Sequence, residues 1–377
     1  MNYAERFEPS EALAFNYAHH AMVVSGLLGW ESRGAKYFKR SIDLRQEMND
    51  VWGLGHSYAY EGGGLYCLCR YDEAIEKLDK AVDSFNQTGD LWELNMATFH
   101  RGMCEYLLGN IQVAAADAQS TFADARNMGD TRAMCSSFLW AVATDGRFPF
   151  DDVKRSVLPA DEDIMSSVNL MKAEGCWHLA HGRTADAVEI LEKAWRSAWN
   201  HGHVFVHTVA TLTILVKARR LHADSLDQAD SKRCRAYRKK TLRLANRTAW
   251  LSRLFRPERV GALRELALAY VGVRGRTQGS LRKALRIVER SCEEATRVAA
   301  KYELAQSRIV RAQLRVELGE ANAQQELDEA ELVMVGFAQA FEKAQSNVTT
   351  SFDKQPTNKQ PTNKQPTNKQ PTNEVLA

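Results

Sequence analysis

"RYDEAIEKLDKAVDSFNQTGD" (residues 70–90) is a stretch of helix-forming residues that ends on a Gly-Asp pair. The chain repeats this form at a step of 40 residues. One step later, "NIQVAAADAQSTFADARNMGD" (110–130) has the same ending, and one step earlier "GAKYFKRSIDLRQEMND" (34–50) ends on Asn-Asp. A fixed step of this kind predicts a tandem array of one structural unit.

Each unit is predicted to contain two helices, over about 52–67 and 72–87 in the second unit, joined by a turn at 68–71. Gly89 and Gly129 follow the last periodic residues, and glycine readily adopts the left-handed conformation that ends a helix. Asp90 and Asp130 then cap the next helix, because a carboxylate accepts hydrogen bonds from its first free N–H groups.

The composition fits an almost entirely helical body. The chain has 377 residues, of which 45% are hydrophobic and 26% charged. Only eight prolines occur, and Pro356, Pro361, Pro366 and Pro371 are four of them. Because proline breaks helices, its scarcity before residue 350 predicts an all-α fold.

The phrase "CRYDEAIEKLDKAV" (69–82) resembles the second half of a tetratricopeptide repeat (TPR), in which small and large residues alternate after a turn glycine. Tyr71, Ala74, Leu78 and Ala81 supply most of the motif, and Cys69 replaces the glycine. The match recurs at Gly109, Ile111, Ala114 and Ala118 and at Gly182, Ala187, Leu191 and Ala194, with weaker echoes from Gly275 and Gly319.

This resemblance covers roughly residues 12–342 and implies a TPR-like α-solenoid, a right-handed superhelix of antiparallel helix pairs. The step exceeds the roughly 34 residues of standard TPR units, so longer helices are expected. One unit cannot bury its apolar face, and stacked neighbours therefore build one extended surface.

The repeat pattern is interrupted in two segments that contain proline, 144–163 and 254–260. Four copies of "KQPTN" fill residues 354–373, and a segment with so few apolar residues predicts disorder. The expected organisation is N-terminal repeats over 1–143, an irregular elbow over 144–163, C-terminal repeats over 164–345 with a basic helix at 231–253, and a disordered tail over 346–377.

The resemblance also implies a binding groove, because the first helix of each TPR unit lines the concave side of the array. A structural role in packing against neighbouring helices is the competing interpretation. The groove positions mapped onto this chain are Asn16, His19, His56, Ala59, Tyr66, Met96, Phe99, Met103 and Tyr106.

Charge is distributed unevenly along the chain. Residues 217–259 contain 14 Lys/Arg and 4 Asp/Glu, whereas residues 1–150 contain 13 and 20. A solvated outer face is one interpretation, and a docking patch for an acidic partner, for the acidic half of the chain or for nucleic acid is the other. By helical periodicity one stripe of the basic helix contains Lys232, Arg235, Lys239, Arg243 and Arg247.

Motifs for catalysis or cofactor binding are weak. "GWESRGAK" (29–36) departs from a phosphate-binding loop, because Ala35 separates the second glycine from the lysine and the flanks are helical. The three glycines at 62–64 are attributed to close helix packing. The paired carboxylates at Asp151-Asp152 are expected on a solvated elbow, where nothing separates their pKa values.

A metal site is the alternative use of five histidines between 178 and 207. We expect helix-end polar contacts instead, because His178 and His181 end one helix and His203 and His207 begin another, about 25 Å away. Seven cysteines form no paired CxxC motifs, which is typical of reduced thiols. No metal, cofactor or enzymatic activity is predicted.

The sequence therefore predicts a non-catalytic, cytoplasmic protein-interaction scaffold or sensor module that binds a protein segment in its groove. The resemblance extends to repeat regions of large bacterial signalling proteins, which implies a partner such as a kinase or ATPase encoded nearby. Because the repeats begin close to Met1, a fragment of a larger kinase, ATPase or cyclase is a further interpretation. The alternative is a helical transcriptional or RNA-linked regulator that uses the basic helix. Neither the N-terminus nor any apolar run predicts a membrane segment.

Overall fold

The computed structural model describes residues 4–6, 8–129, 137–156, 164–202, 206–226 and 231–352. Within these ranges the chain is helical and contains sixteen α-helices, which confirms the all-α class. In chain order they are α1 Glu11–Met22, α2 Glu31–Glu47, α3 Val51–Cys67, α4 Tyr71–Thr88, α5 Leu91–Leu108, α6 Ile111–Met128, α7 Ser137–Ala143, α8 Phe150–Ser156, α9 Ile164–Ala180, α10 Thr184–Asn200, α11 Val206–Ser225, α12 Ser231–Leu251, α13 Arg259–Arg274, α14 Gln278–Arg297, α15 Lys301–Leu318 and α16 Ala323–Phe352.

Helices end at the glycine of the Gly-Asp pairs, as predicted from the sequence. Gly89 has φ +74° and ends α4, and Gly129 has φ +69° and ends α6. The Asp90 carboxylate accepts from the backbone N–H groups of Trp92 and Glu93 at the start of α5. Cys69 occupies the turn position where the TPR motif has glycine, and it adopts φ +62° there. Asp130 lies outside the described residues.

Small residues allow the two helices of a unit to approach closely. Gly62 of α3 faces α4, where an added Cβ would lie 2.6 Å from Cγ of Leu78. Ala74 and Ala114 are fully buried. At Gly64, a Cβ would lie 3.3 Å from the Phe38 ring of α2. The glycines at 62 and 64 therefore serve packing, as expected from the sequence.

Buried serines join three successive helices in two distant parts of the chain. Ser41 of α2 donates to the Ala14 carbonyl of α1 (2.7 Å) and lies 2.8 Å from the Ser57 hydroxyl of α3. Ser291 of α14 repeats this arrangement, with the Val260 carbonyl of α13 at 2.8 Å and the Ser307 hydroxyl of α15 at 2.9 Å. The recurrence shows that both ends of the chain contain the same packing unit.

The predicted elbow is more ordered than expected. Residues 150–156 form α8, and Phe148 and Phe150 are buried. Their rings continue a chain of aromatic contacts from Trp140 of α7 to Trp177 of α9. Burial of aromatic surface thus organises a segment whose prolines suggested irregular structure; residues 157–163 lie outside the described part.

The array closes on itself. Helix α16 packs against α6, and α15 packs against α5, so the C-terminal helices contact the third helix pair of the chain. The rings of Tyr106 and Tyr302 lie 5.8 Å apart at this contact, and the Gln345 side chain donates to the Thr144 carbonyl (3.0 Å). The array thereby encloses its concave side. Helix α16 extends to Phe352, past the expected end of the repeats, and the KQPTN copies lie outside the described residues.

Candidate binding site in the concave interior

A cavity of about 380 Å³ occupies the concave side of the array. The odd-numbered helices α3 to α15 all contribute to its wall, together with the turn after α7 and the short 3-10 helix Arg256–Glu258. This volume is within the range of small-ligand pockets in proteins. The first helices of successive units thus line one common cavity.

A carboxyl group forms part of the cavity wall. Glu258 precedes α13 and lies against α11, where the Thr213 hydroxyl is 3.4 Å from its carboxylate. Removal from water raises the pKa of Glu258 to about 7, with Lys172 opposing the shift and Glu303 adding to it. This group therefore exchanges a proton near neutral pH, and both its acid and its carboxylate forms are available to a ligand.

Ion pairs hold the wall on the side of α13. Arg264 donates to the Glu303 carboxylate at 2.5 Å, and Arg220 donates to Glu265 at 3.0 Å. Burial lowers the pKa of Arg264, but the nearby Glu303 and Glu265 carboxylates outweigh that effect and raise it. Both pairs are partly or fully buried, so they fix the positions of α11, α13 and α15 relative to one another.

Other charged groups of the wall lack an opposite charge in the described structure. Lys217 of α11 is half-buried, and no described carboxylate oxygen lies within 4.0 Å of its ammonium group. Asp145 and Arg147 are exposed in the turn after α7 and likewise form no ion pair with described residues. These groups are available to bind charged or polar atoms of a ligand.

Tyrosines and one cysteine supply further polar atoms. Burial raises the pKa of Tyr66, Tyr106 and Tyr302, so their hydroxyls are neutral hydrogen-bonding groups at physiological pH. Burial also raises the pKa of Cys176 to about 11, which leaves a weakly reactive thiol on the wall. The cavity combines aromatic surface with a few polar groups, and this combination is typical of binding sites.

Three of the nine predicted groove residues, Tyr66, Met103 and Tyr106, line the cavity. Phe99 lies in the core cluster, as does Ala59 at its edge. The exposed Asn16 amide donates to the Ala12 carbonyl, and Met96 is half-buried on α5.

A second aromatic cluster holds two more of these residues, away from the cavity. His56 stacks between Phe15 and Tyr60 with ring centroids at 4.5 Å and 4.4 Å, and His19 lies 4.1 Å from Tyr60. Burial, with the nearby His19 and Arg45, lowers the pKa of His56 to about 4. Imidazole rings packed among aromatic rings fit the packing interpretation of these two positions.

Several wall residues were not predicted from the sequence. Lys217, Glu258 and Tyr302 lie far from the strongest TPR matches, and only the closure of the array brings them opposite Met103 and Tyr106. For α15 the weak TPR match that begins at Gly319 was the one indication in the sequence, because this glycine marks a turn and α15 is the helix before it.

The described histidines between 178 and 207 and the carboxylates of the elbow make local contacts. His178 lies 3.9 Å from the Asp186 carboxylate, and the His181 ring lies 2.8 Å from the Trp177 carbonyl at the end of α9. These are the helix-end contacts expected; His203 and the His207 side chain lie outside the described residues. The Asp152 carboxylate belongs to the first turn of α8 and pairs with Arg155.

All five residues of the predicted basic stripe are exposed on α12. Two tryptophans accompany them: Trp250 of α12 is 60% exposed, and Trp199 of α10 is 51% exposed. The Arg247 guanidinium lies over the Trp199 ring at 4.7 Å. Helical periodicity also places Trp250 on the stripe, although Trp250 was not among the predicted residues.

Comparison with known proteins gives no family. No family model matches the chain, and no curated protein matches it. One similar solved structure is described as a "circular tandem repeat protein with novel repeat topology and enhanced subunit contact surfaces"; it is 12% identical, covers 91% of this chain and 85% of its own, and has a TM-score of 0.22. A likeness this low contributes nothing to the assignment of function. Among the described residues, no helix combines the length and apolar character needed to cross a bilayer.

Proposed function

We propose that this chain is a non-catalytic binding module that holds a short protein segment in its concave cavity. The observation that supports the proposal is that seven inner helices line one cavity. A segment bound there would contact units that are distant in sequence, and its binding energy would stabilise the closed array.

The size of the cavity restricts the ligand. At about 380 Å³ it accommodates a few amino-acid residues rather than a folded domain. Methionine and tyrosine on the wall suit such a ligand, because Met103 adapts its shape and Tyr106 offers a rigid amphipathic surface. Lys217 supplies a cation that can pair with an acidic side chain or a chain terminus.

A role in bacterial signalling, with a kinase or ATPase as the source of the segment, is the finer part of this proposal. It is supported by the TPR resemblance of the repeats. A fragment of a larger signalling protein would use the same cavity. The alternative regulator predicted from the basic helix requires a different surface, the exposed face of α12.

The test is selection from a random peptide library displayed on phage, followed by two substitutions on α15. Gln306 is half-buried and lines the cavity, whereas Arg308 is exposed on the same helix. Gln306→Trp fills the cavity and is expected to weaken binding of the selected peptide at least about tenfold, or about 1.4 kcal/mol. Arg308→Trp is the matched control and is expected to bind as the parent does.

Two results would contradict the proposal. One is a selected peptide that binds both tryptophan variants equally well, which would place it outside the cavity. The other is a library that yields no peptide although circular dichroism shows the helical fold.

A further inference from the structure

Helix α12 is an unusually basic element. Its 21 residues include eight Lys/Arg and no Asp/Glu. Arg238 forms an ion pair with Asp224 at 3.2 Å. Five others are exposed and have no carboxylate oxygen within 4.0 Å in the described part of the chain; they are Lys232, Lys239, Lys240, Arg243 and Arg247.

Carboxylates neutralise part of the positive charge on two other basic helices. On α15, Arg311 and Arg315 both pair with Glu326 of α16, at 2.5 Å and 2.8 Å. On α14, Arg297 pairs with Glu294 at 2.6 Å, although Arg282, Arg286 and Arg290 are exposed and form no ion pair with described residues. An ordinary solvated surface intersperses charges of both signs in this way. The α12 face instead presents a row of cations about 22 Å long, at 1.5 Å per residue from Lys232 to Arg247, on a helix without Asp or Glu.

Aromatic surface lies within the row of cations. At 100° per residue, Trp250 lies about 20° from Arg243 and about 60° from Arg247 around the helix. Its ring is 60% exposed. Trp199 extends the surface from α10, with Arg247 over its ring. Exposed indole beside unpaired cations is the combination that binds a charged backbone and its bases together.

We propose that the α12 face, defined by the five unpaired cations with Trp250 and Trp199, binds single-stranded nucleic acid. The cations contact phosphates, and a base stacks on the free face of Trp250. Single strands are favoured over duplexes because bases held in a duplex cannot stack on a side chain. The row lies on the outer side of the array, so this site is independent of the cavity.

Fluorescence anisotropy with a fluorescein-labelled thymidine 20-mer tests the proposal, with an unlabelled 20-base-pair duplex and an unlabelled polyglutamate peptide as competitors. The single strand is expected to bind tightest, and log K to fall linearly with log salt. A slope of about −2 to −3.5 corresponds to three to five neutralised phosphates.

Two substitutions separate stacking from charge. Trp250→Ala is expected to weaken binding about 5- to 100-fold at every salt concentration, because one base–aromatic stack is lost. Arg243→Ala is expected to reduce the slope by about 0.7. Trp92→Ala is the matched control, since Trp92 is 42% exposed on the acidic half of the chain, and it should bind as the parent does.

Three outcomes overturn the proposal: no binding of the 20-mer at low salt, equal displacement by polyglutamate, or full affinity in Trp250→Ala. Equal displacement would identify the face as a docking patch for acidic protein segments. Gln306→Trp should leave nucleic-acid binding unchanged, so failure here and failure of the cavity proposal are distinguishable.

Discussion

Closure of the array can be tested at a single glycine. Gly109 ends α5 with φ +89°, and Gly89 ends α4 with φ +74°. At Gly109 an added Cβ would lie 3.2 Å from Lys301 Cβ and 3.2 Å from the Phe337 ring, which belong to α15 and α16. At Gly89 no such atom lies within 4 Å. The two glycines therefore differ in whether the far end of the array packs on them.

The expected magnitude follows from this difference. An alanine in the left-handed conformation costs about 1–2 kcal/mol at either position. Alanine also lowers the conformational entropy of the unfolded chain, and this contribution is the same for Gly89→Ala and Gly109→Ala. It therefore cancels in the difference between the two variants. Gly109→Ala must also displace Lys301 and Phe337 by a few tenths of an ångström, and such overpacking costs at least about 1 kcal/mol more.

Urea unfolding followed by circular dichroism measures the stability of both variants against the parent. The loss of free energy of unfolding is read from the shift of the urea midpoint, provided that m, the slope of that free energy against urea concentration, is unchanged. Gly109→Ala should lose about 1 kcal/mol more than Gly89→Ala. Equal losses would refute the reasoning, because they would mean that α15 and α16 do not lie against the end of α5.

Three other substitutions have defined outcomes. Ala74→Leu should cost about 1–3 kcal/mol in urea unfolding, since Ala74 is fully buried between α3 and α4; a parent-like midpoint would contradict the helix pairing. Ala299→Gly should stabilise by about 0.5–1 kcal/mol, because the exposed Ala299 has φ +54°; a loss of stability would show that its backbone is not strained. The pKa of Glu258 is about 7 in the folded protein and 4.5 in the unfolded chain, so folding is stabilised while the carboxyl group is protonated. As pH rises from 4.5 to about 7 this stabilisation is lost, and the parent's free energy of unfolding should fall relative to that of Glu258→Gln. A difference independent of pH between 5 and 8 would show that Glu258 titrates normally.

Local structure was readable from the sequence. The expected helices over 52–67 and 72–87 match α3 and α4 to within one residue, because apolar periodicity and Gly-Asp caps act within a few turns. The packing role expected for Gly62 is confirmed by its position opposite Leu78.

Long-range structure was not readable. The path of a solenoid sums small rotations between units, and helices longer than those of standard repeats change each rotation. Closure therefore depends on geometry that no local motif records, and with it the meeting of Tyr106 and Tyr302. The helix over 150–156 was not predicted for a related reason, since the prolines of the elbow are visible locally but the burial of Phe148 is not.

The candidate functional residues also fall into those predictable from local sequence and those that depend on the tertiary fold. The basic stripe required only helical periodicity, and the same rule would have found Trp250. The cavity required the tertiary fold, because Lys217 and Glu258 become candidates only once α11 and the 3-10 helix before α13 lie across the cavity from α5. Proximity of distant units, rather than any motif, defines this site.

Alkylation of Cys176 tests most directly whether a ligand occupies the concave cavity. Cys176 lines the cavity and is half-buried, whereas Cys104 and Cys292 are buried elsewhere. With the library-selected peptide at ten times its dissociation constant, iodoacetamide labelling of Cys176 should slow about tenfold, as read by mass spectrometry. Labelling of Cys292 should not change. An unchanged Cys176 rate at that occupancy would contradict the account, because the bound peptide would then lie outside the cavity.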